Sequence, residues 1–181
     1  IVIIIGMLST RTVVRTLDWR DGLTLYGHDI KIAKESFDLE NAVGIELFRA
    51  GRFNEAQEHL ERSVSLNPLP INLTNLGLLF EKKGESAKAM EHYQRALVYE
   101  SSYHTYQAIA QLMFSRGDSA SVMHIAKEGL KKYPNNAKLW LMLALSQYKL
   151  GNVGEATAAA QRAFSLMPED EYTHFMNELK L

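Results

Sequence analysis

The chain has no cysteine, few prolines and no surplus of charge of either sign, and it contains no apolar run of membrane-spanning length. Without cysteine there are no disulfides and no thiolate metal sites, although this does not name a compartment. Twenty Lys and Arg against 21 Asp and Glu leave a net charge of −1, and the pI is near 6.7. No lysine or arginine run restores a basic patch, so the electrostatic footprint of a nucleic-acid binder is missing. The most apolar stretch, Ile1 to Leu8, is too short to cross a bilayer alone, which takes ~20 apolar residues. It also lacks the basic start of a signal peptide. What remains is a globular balance, 46% hydrophobic and 23% charged over 181 residues, which disfavours disorder.

Self-similarity is the dominant signal. Gly51, Gly84, Gly117 and Gly151 recur at intervals of 33, 33 and 34 residues. In step with them run three further ladders: Gly44, Gly77, Ala110 and Ala144; Ala56, Ala89, Val122 and Ala156; and Ser63, Ala96, Gly129 and Ala163. Pro68, Pro134 and Pro168 close three of the four units, with Ser101 in the remaining slot. Each unit reads as two helices. Leu76, Leu79 and Phe80 recur at helical spacing before Gly84, a residue suited to the left-handed turn that ends a helix. From Ser86 to Tyr99, Ala89, Tyr93, Ala96 and Leu97 form the stripe of a second helix. Small residues at fixed positions let helix backbones approach closely, and one such hairpin buries its apolar face only by stacking on a neighbour.

The small residues Gly44, Gly77 and Ala110, the aromatics Tyr106 and Trp140, the glycine turns and the Ala-Ala-Pro ladder together resemble the tetratricopeptide repeat family, from about Phe37 to Pro168. The resemblance implies an all-α fold: a right-handed α-solenoid of helix-turn-helix units closed by a C-terminal capping helix. The expected division is four units at 37–69, 70–102, 103–136 and 137–168, preceded by a half-repeat adapter helix over 21–36. On that adapter Leu23, Tyr26, Ile30, Ala33 and Phe37 share a face, with Asp21 placed as its cap. Tyr172, Phe175, Met176 and Leu179 mark the capping helix over 169–181. Three departures from the pattern stand out. Glu40 occupies a slot that takes Leu73, Tyr106 and Trp140 elsewhere. Gln147 replaces a bulky residue whose role Tyr148 is expected to assume. Ala126 and Ala160 are smaller than Leu60 and Tyr93 in the same slot.

No catalytic constellation emerges. His59 and His92 occupy equivalent slots in successive units, and repetition accounts for the match, since no carboxylate follows at metal-ligand spacing. Glu55, Glu58 and Glu61 read as a solvated helix face. There is no Gly-rich phosphate loop and no serine in a nucleophile elbow, so no cofactor, metal or catalytic residue is assigned. The sequon Asn72-Leu73-Thr74 places its middle residue in the core, which argues against modification.

By the same resemblance, the first helices of the units line a concave groove that receives a peptide or protein partner. The groove-facing residues would be Asn41, Ile45, Phe48, Leu78, Gln107, Gln111, Phe114, Leu141, Leu145 and Tyr148, with Leu78 and Leu145 equally readable as core. The chaperone-binding subtype holds a terminal carboxylate with Lys, Asn and Arg. The matching positions are Asn41, Ile45, Asn75, His104 and Ala108, of which Asn75 alone suits that task.

The chain opens on Ile1 rather than Met, which reads as a fragment of something longer. Residues 1–20 join an apolar tail, three arginines and Trp19-Arg20-Asp21 to the first helix. This junction is similar to that between the last membrane helix of protein O-mannosyltransferase-like glycosyltransferases and their C-terminal repeat tails. It implies a membrane link through the N-terminal segment, catalysis upstream, repeats outside the cytoplasm, and the parent's own membrane domain as one partner. The lesser alternative for Ile1 to Leu8 is a buried strand or a stray core segment. Arg11, Arg15 and Arg20 favour the cytoplasmic alternative, because positive charge beside a span tends to stay inside. The alternative owner is a free-standing or singly anchored scaffold.

Overall fold

The computed structural model describes residues 22–33, 35–99, 102–168 and 171, and the expectations for 1–21 and for the segment after Glu171 lie outside these. The described residues form nine helices and no strand: α1 Gly22–Ile32, α2 Phe37–Arg49, α3 Phe53–Leu66, α4 Pro70–Lys82, α5 Ser86–Tyr99, α6 Tyr103–Ser115, α7 Ser119–Lys132, α8 Ala137–Lys149 and α9 Val153–Phe164. None of them is long and apolar enough to cross a membrane.

Helix ends follow from local chemistry. The Ser36, Asp118 and Asn136 side chains accept backbone N–H bonds at the starts of α2, α7 and α8. Pro70 takes the first position of α4, where a missing N–H costs nothing. Between the two helices of each unit the backbone must turn left-handed, and Gly51, Gly84, Gly117 and Gly151 adopt φ of 75°, 80°, 76° and 84°. Each turn closes with the same wide backbone bond: Arg52 N–H to Leu47 O, Glu85 to Phe80, Asp118 to Met113 and Asn152 to Gln147, at 2.8–3.1 Å.

The chain divides into two compact units, Ile1–His92 and Tyr93–Leu181, the boundary falling within α5. In the first unit α2 packs on α1, α3 and α4. Its core is Val43, Leu47, Leu60, Leu73, Leu76, Leu79 and Phe80. The Ser36 break ends the first helical stripe early, so Phe37 opens α2 instead of closing α1. In the second unit α6, α7, α8 and α9 pack in succession, and α6 also touches α8. Tyr106, Val122, Leu130, Leu139 and Met142 form the centre of its core.

All twelve positions of the three small-residue ladders are buried. Ser63 keeps its place among alanines because its hydroxyl donates to Phe37 O at 2.8 Å. A Cβ on Gly44 would stand 2.6 Å from Leu60 Cγ and 3.3 Å from the Leu60 backbone nitrogen, whereas one on Gly154 would meet nothing within 4 Å. Gly44→Ala is therefore expected to destabilise by about 1–3 kcal/mol through overpacking, as are Ala96→Leu and Ala163→Leu. Gly154→Ala is expected to be neutral or to stabilise by up to about 1 kcal/mol. Urea unfolding of the four variants measures this, and equal midpoints for Gly44→Ala and Gly154→Ala would remove the close crossing from the account.

Candidate functional site

In the first unit, Asn41 and Asn75 bring α2 and α4 together, Asn75 Nδ2 donating to Asn41 Oδ1 at 2.9 Å. Asn41 thus spends its acceptor on the neighbouring helix. Ile45 is half-buried beside it, and the Phe48 ring leans on Phe53 across the glycine turn at 5.7 Å between centroids. Leu78 is exposed and is not sealed in the core.

In the second unit the ten-residue groove expectation separates into two surfaces. At the N-terminal ends of α6 and α8 lies a polar cleft of about 410 Å³, lined by Tyr103, His104, Gln107, Lys138 and, from beyond α9, Glu171. Gln107 Nε2 donates to Asn136 Oδ1 at 2.8 Å, the same oxygen that caps α8. Burial and, second, the Lys138 ammonium hold the His104 imidazole below the usual histidine range, which favours its neutral form. At the far ends of these helices Lys149 Nζ sits 4.1 Å from the centroid of the half-buried Phe114 ring, and Gln111 is exposed between the two ends.

Leu141, Leu145 and Tyr148 instead face α9, where with Val153, Thr157 and Ala160 they line an apolar cleft of about 230 Å³. Leu141 is 2% exposed and belongs to the core, which corrects its placement as an open groove residue. The expectation that Tyr148 takes over the bulky slot of Gln147 is also corrected. Tyr148 is 66% exposed, while Gln147 is itself buried and donates to Glu155 Oε2 at 2.7 Å.

Sequence reasoning missed one cluster. Glu40, 3% exposed, receives Arg62 Nε at 2.7 Å and contacts His59 Nδ1 at 2.6 Å. The partners lie 19 and 22 residues away on α3, so no local spacing signals them. Stacking α3 on α2 turns an apolar slot into a buried carboxylate with two basic partners. Among the described residues no three His, Asp or Glu side chains are placed to hold a metal ion. The sequon is sealed: Asn72, Leu73 and Thr74 are all buried, and Asn72 Nδ2 donates to Asn67 O.

These surfaces define a helical-repeat protein with clefts between helix ends. A sequence profile of the tetratricopeptide repeat matches residues 42–104 and 124–169, more than half the chain, and the chain belongs to that family. None of the curated proteins compared matches it. A crystal structure of MamA is similar at 18% identity and a TM-score of 0.69, over 84% of this chain and 89% of that one. The APC/C hetero-tetramer Cut9–Hcn1 contains a chain similar at 16% identity and a TM-score of 0.70, over 78% of this chain and 27% of that one. At such identities the likeness shows the fold alone.

The cluster yields an asymmetric expectation. Glu40→Leu removes the buried charge and leaves His59 and Arg62, which are 32% and 55% exposed, in reach of water. It should stay within about 1 kcal/mol of the parent. Arg62→Met strands the carboxylate with His59 alone and should cost more, about 1–2 kcal/mol, the exposure of the arginine having been discounted. Chemical denaturation of the pair decides, and a larger loss for Glu40→Leu would reverse the assignment.

Proposed function

We propose that this array is a protein-binding module that takes a partner on the first helices of its repeats, α2 and α4 in the first unit and α6 and α8 in the second, each pair a surface of its own. The observation that carries the reading is Tyr148. An aromatic ring 66% exposed beside an apolar cleft serves no folding purpose, and burying it is worth far more to a complex than to the monomer. Leu78, Ile45 and Phe48 place further apolar surface on α2 and α4, where a face kept only for solubility would be polar. The family relation supports a binding role of this kind, and the clefts offer grooves for an extended or helical segment.

The scaffold is the simpler owner of such a module. The glycosyltransferase-tail reading draws on residues 1–20, and ten or so hydrophobic spans encoded upstream of Ile1 would be needed to adopt it. With a partner in hand, Tyr148→Ala and Phe48→Ala should raise Kd at least about tenfold, about 1.4 kcal/mol. For Tyr148→Ala the melting temperature should not move. Calorimetric titration beside a thermal melt measures both, and an unchanged Kd with a lowered melting temperature would return these residues to the core.

A further inference from the structure

The apolar cleft of the second unit is shaped as a seat for a helix. Leu141, Ala144, Leu145 and Tyr148 follow one another along α8 at i, i+3, i+4 and i+7, and α9 lines the other wall at the same spacing from Val153 to Ala160. No charged side chain lines it. One repeat earlier the same place is filled. Ala110 on α6 and Val122 on α7 hold the positions that Ala144 and Ala156 hold here. There α8 packs against both helices, and the pair is fully buried in one cluster with Leu139 of α8. Among the described residues α9 packs on α8, and no further helix follows it.

We propose that Tyr172 to Leu179 of the same chain occupy this cleft as a helix, and that a protein partner has to displace them to enter it. The proposal rests on the protein-binding reading above and adds an intramolecular competitor to it. The segment lies outside the described residues, and three observations select it. First, Tyr172, Phe175, Met176 and Leu179 recur at i, i+3, i+4 and i+7, the spacing of both walls. Second, the length fits. From Tyr172 to Leu179 a helix rises ~10.5 Å, as α8 does from Leu141 to Tyr148, whereas the same residues extended would overshoot at ~23 Å. Third, the starting point fits. Glu171, the residue before the stripe, lines the polar cleft together with Lys138, three residues ahead of Leu141 on α8. Counted from that level along α8, Leu179 falls beside Ser146, ~3 Å short of Tyr148. The Tyr148 ring thus stays open at the end of the cleft, in keeping with its 66% exposure, and gives a partner its first hold. On a short connection the segment has a local concentration in the millimolar range, so a partner succeeds only by binding the cleft better than that tethered competitor.

The chain has no cysteine, so paired cysteines report the seat without background. In the full chain, Thr157→Cys/Leu179→Cys and Ala160→Cys/Met176→Cys should close an intramolecular disulfide about tenfold faster than Ala158→Cys/Leu179→Cys, whose α9 position is exposed and outside the cleft. A random peptide library panned on the reduced Thr157→Cys/Leu179→Cys chain supplies the probes for competition. Selected peptides whose binding Tyr148→Ala weakens should lose about tenfold in affinity once the disulfide is closed. The same peptides should bind more tightly to Phe175→Asp/Met176→Asp, which releases the segment. If neither pair outpaces the control, or if the disulfides join two molecules, the proposal falls and the protein-binding reading is untouched. Peptides indifferent to the closed disulfide would overturn it as well. Pools with no enrichment, or with none sensitive to Tyr148, would end the protein-binding reading at this cleft and the competition with it, while the disulfide rates still decide what occupies the seat.

Discussion

The close approach of helix backbones is the constraint on which everything else depends. A Cβ on Gly129 would lie 2.8 Å from Leu139 Cδ1 and 2.9 Å from Tyr106 Cγ, so α7 can reach α6 and α8 only because that side chain is absent. The same condition holds along the other ladders, where Ala56, Ala89, Ala110, Val122 and Ala163 are all fully buried. Close-packed interiors tolerate no spare methylene, so these positions fix residue size and the large neighbours fix the gaps they fill. The left-handed glycine turns complete the constraint, by turning the chain back within three residues.

Once those positions are set, the polar exceptions become intelligible as solutions to burial. Glu40 is held by Arg62 and His59, Ser63 by Phe37 O, and Gln147 by Glu155. Each sits where the repeat elsewhere uses an apolar or small residue, and each finds a partner on the adjoining helix, while Gln147 Oε1 is left buried without a hydrogen bond. Burial without such partners would cost more than the group contributes.

The ladders made the helices, turns and core legible in the sequence, because size and left-handed φ are local demands that recur with the unit. What was not legible depended on contacts between helices. Glu40 carries no local sign of Arg62, 22 residues on. Leu141 shares its repeat position with the half-buried Gln107, yet it is sealed in the core. Tyr148 and Gln147 are neighbours in sequence, and only the rotation of α8 decided which turned inward. The ten-residue groove expectation treated equivalent positions as equivalent surfaces, whereas in the second unit they divide between a polar cleft and an apolar one.

That division locates specificity. Positions bound by the packing constraint are nearly interchangeable between repeats and carry little information about a partner. Positions released from it differ sharply: Asp38, Ile71, His104 and Lys138 stand at one repeat position at the starts of the four first helices, and Phe48, Glu81, Phe114 and Tyr148 at another near their ends. On α2 and α8 an aromatic stays at one end of the helix, Phe48 and Tyr148, while the charge at the other changes sign, Asp38 and Lys138. In the binding reading proposed above, apolar area would supply affinity and charge would select the segment accepted. Two repeats built on one packing rule can therefore favour opposite electrostatics without either disturbing the core.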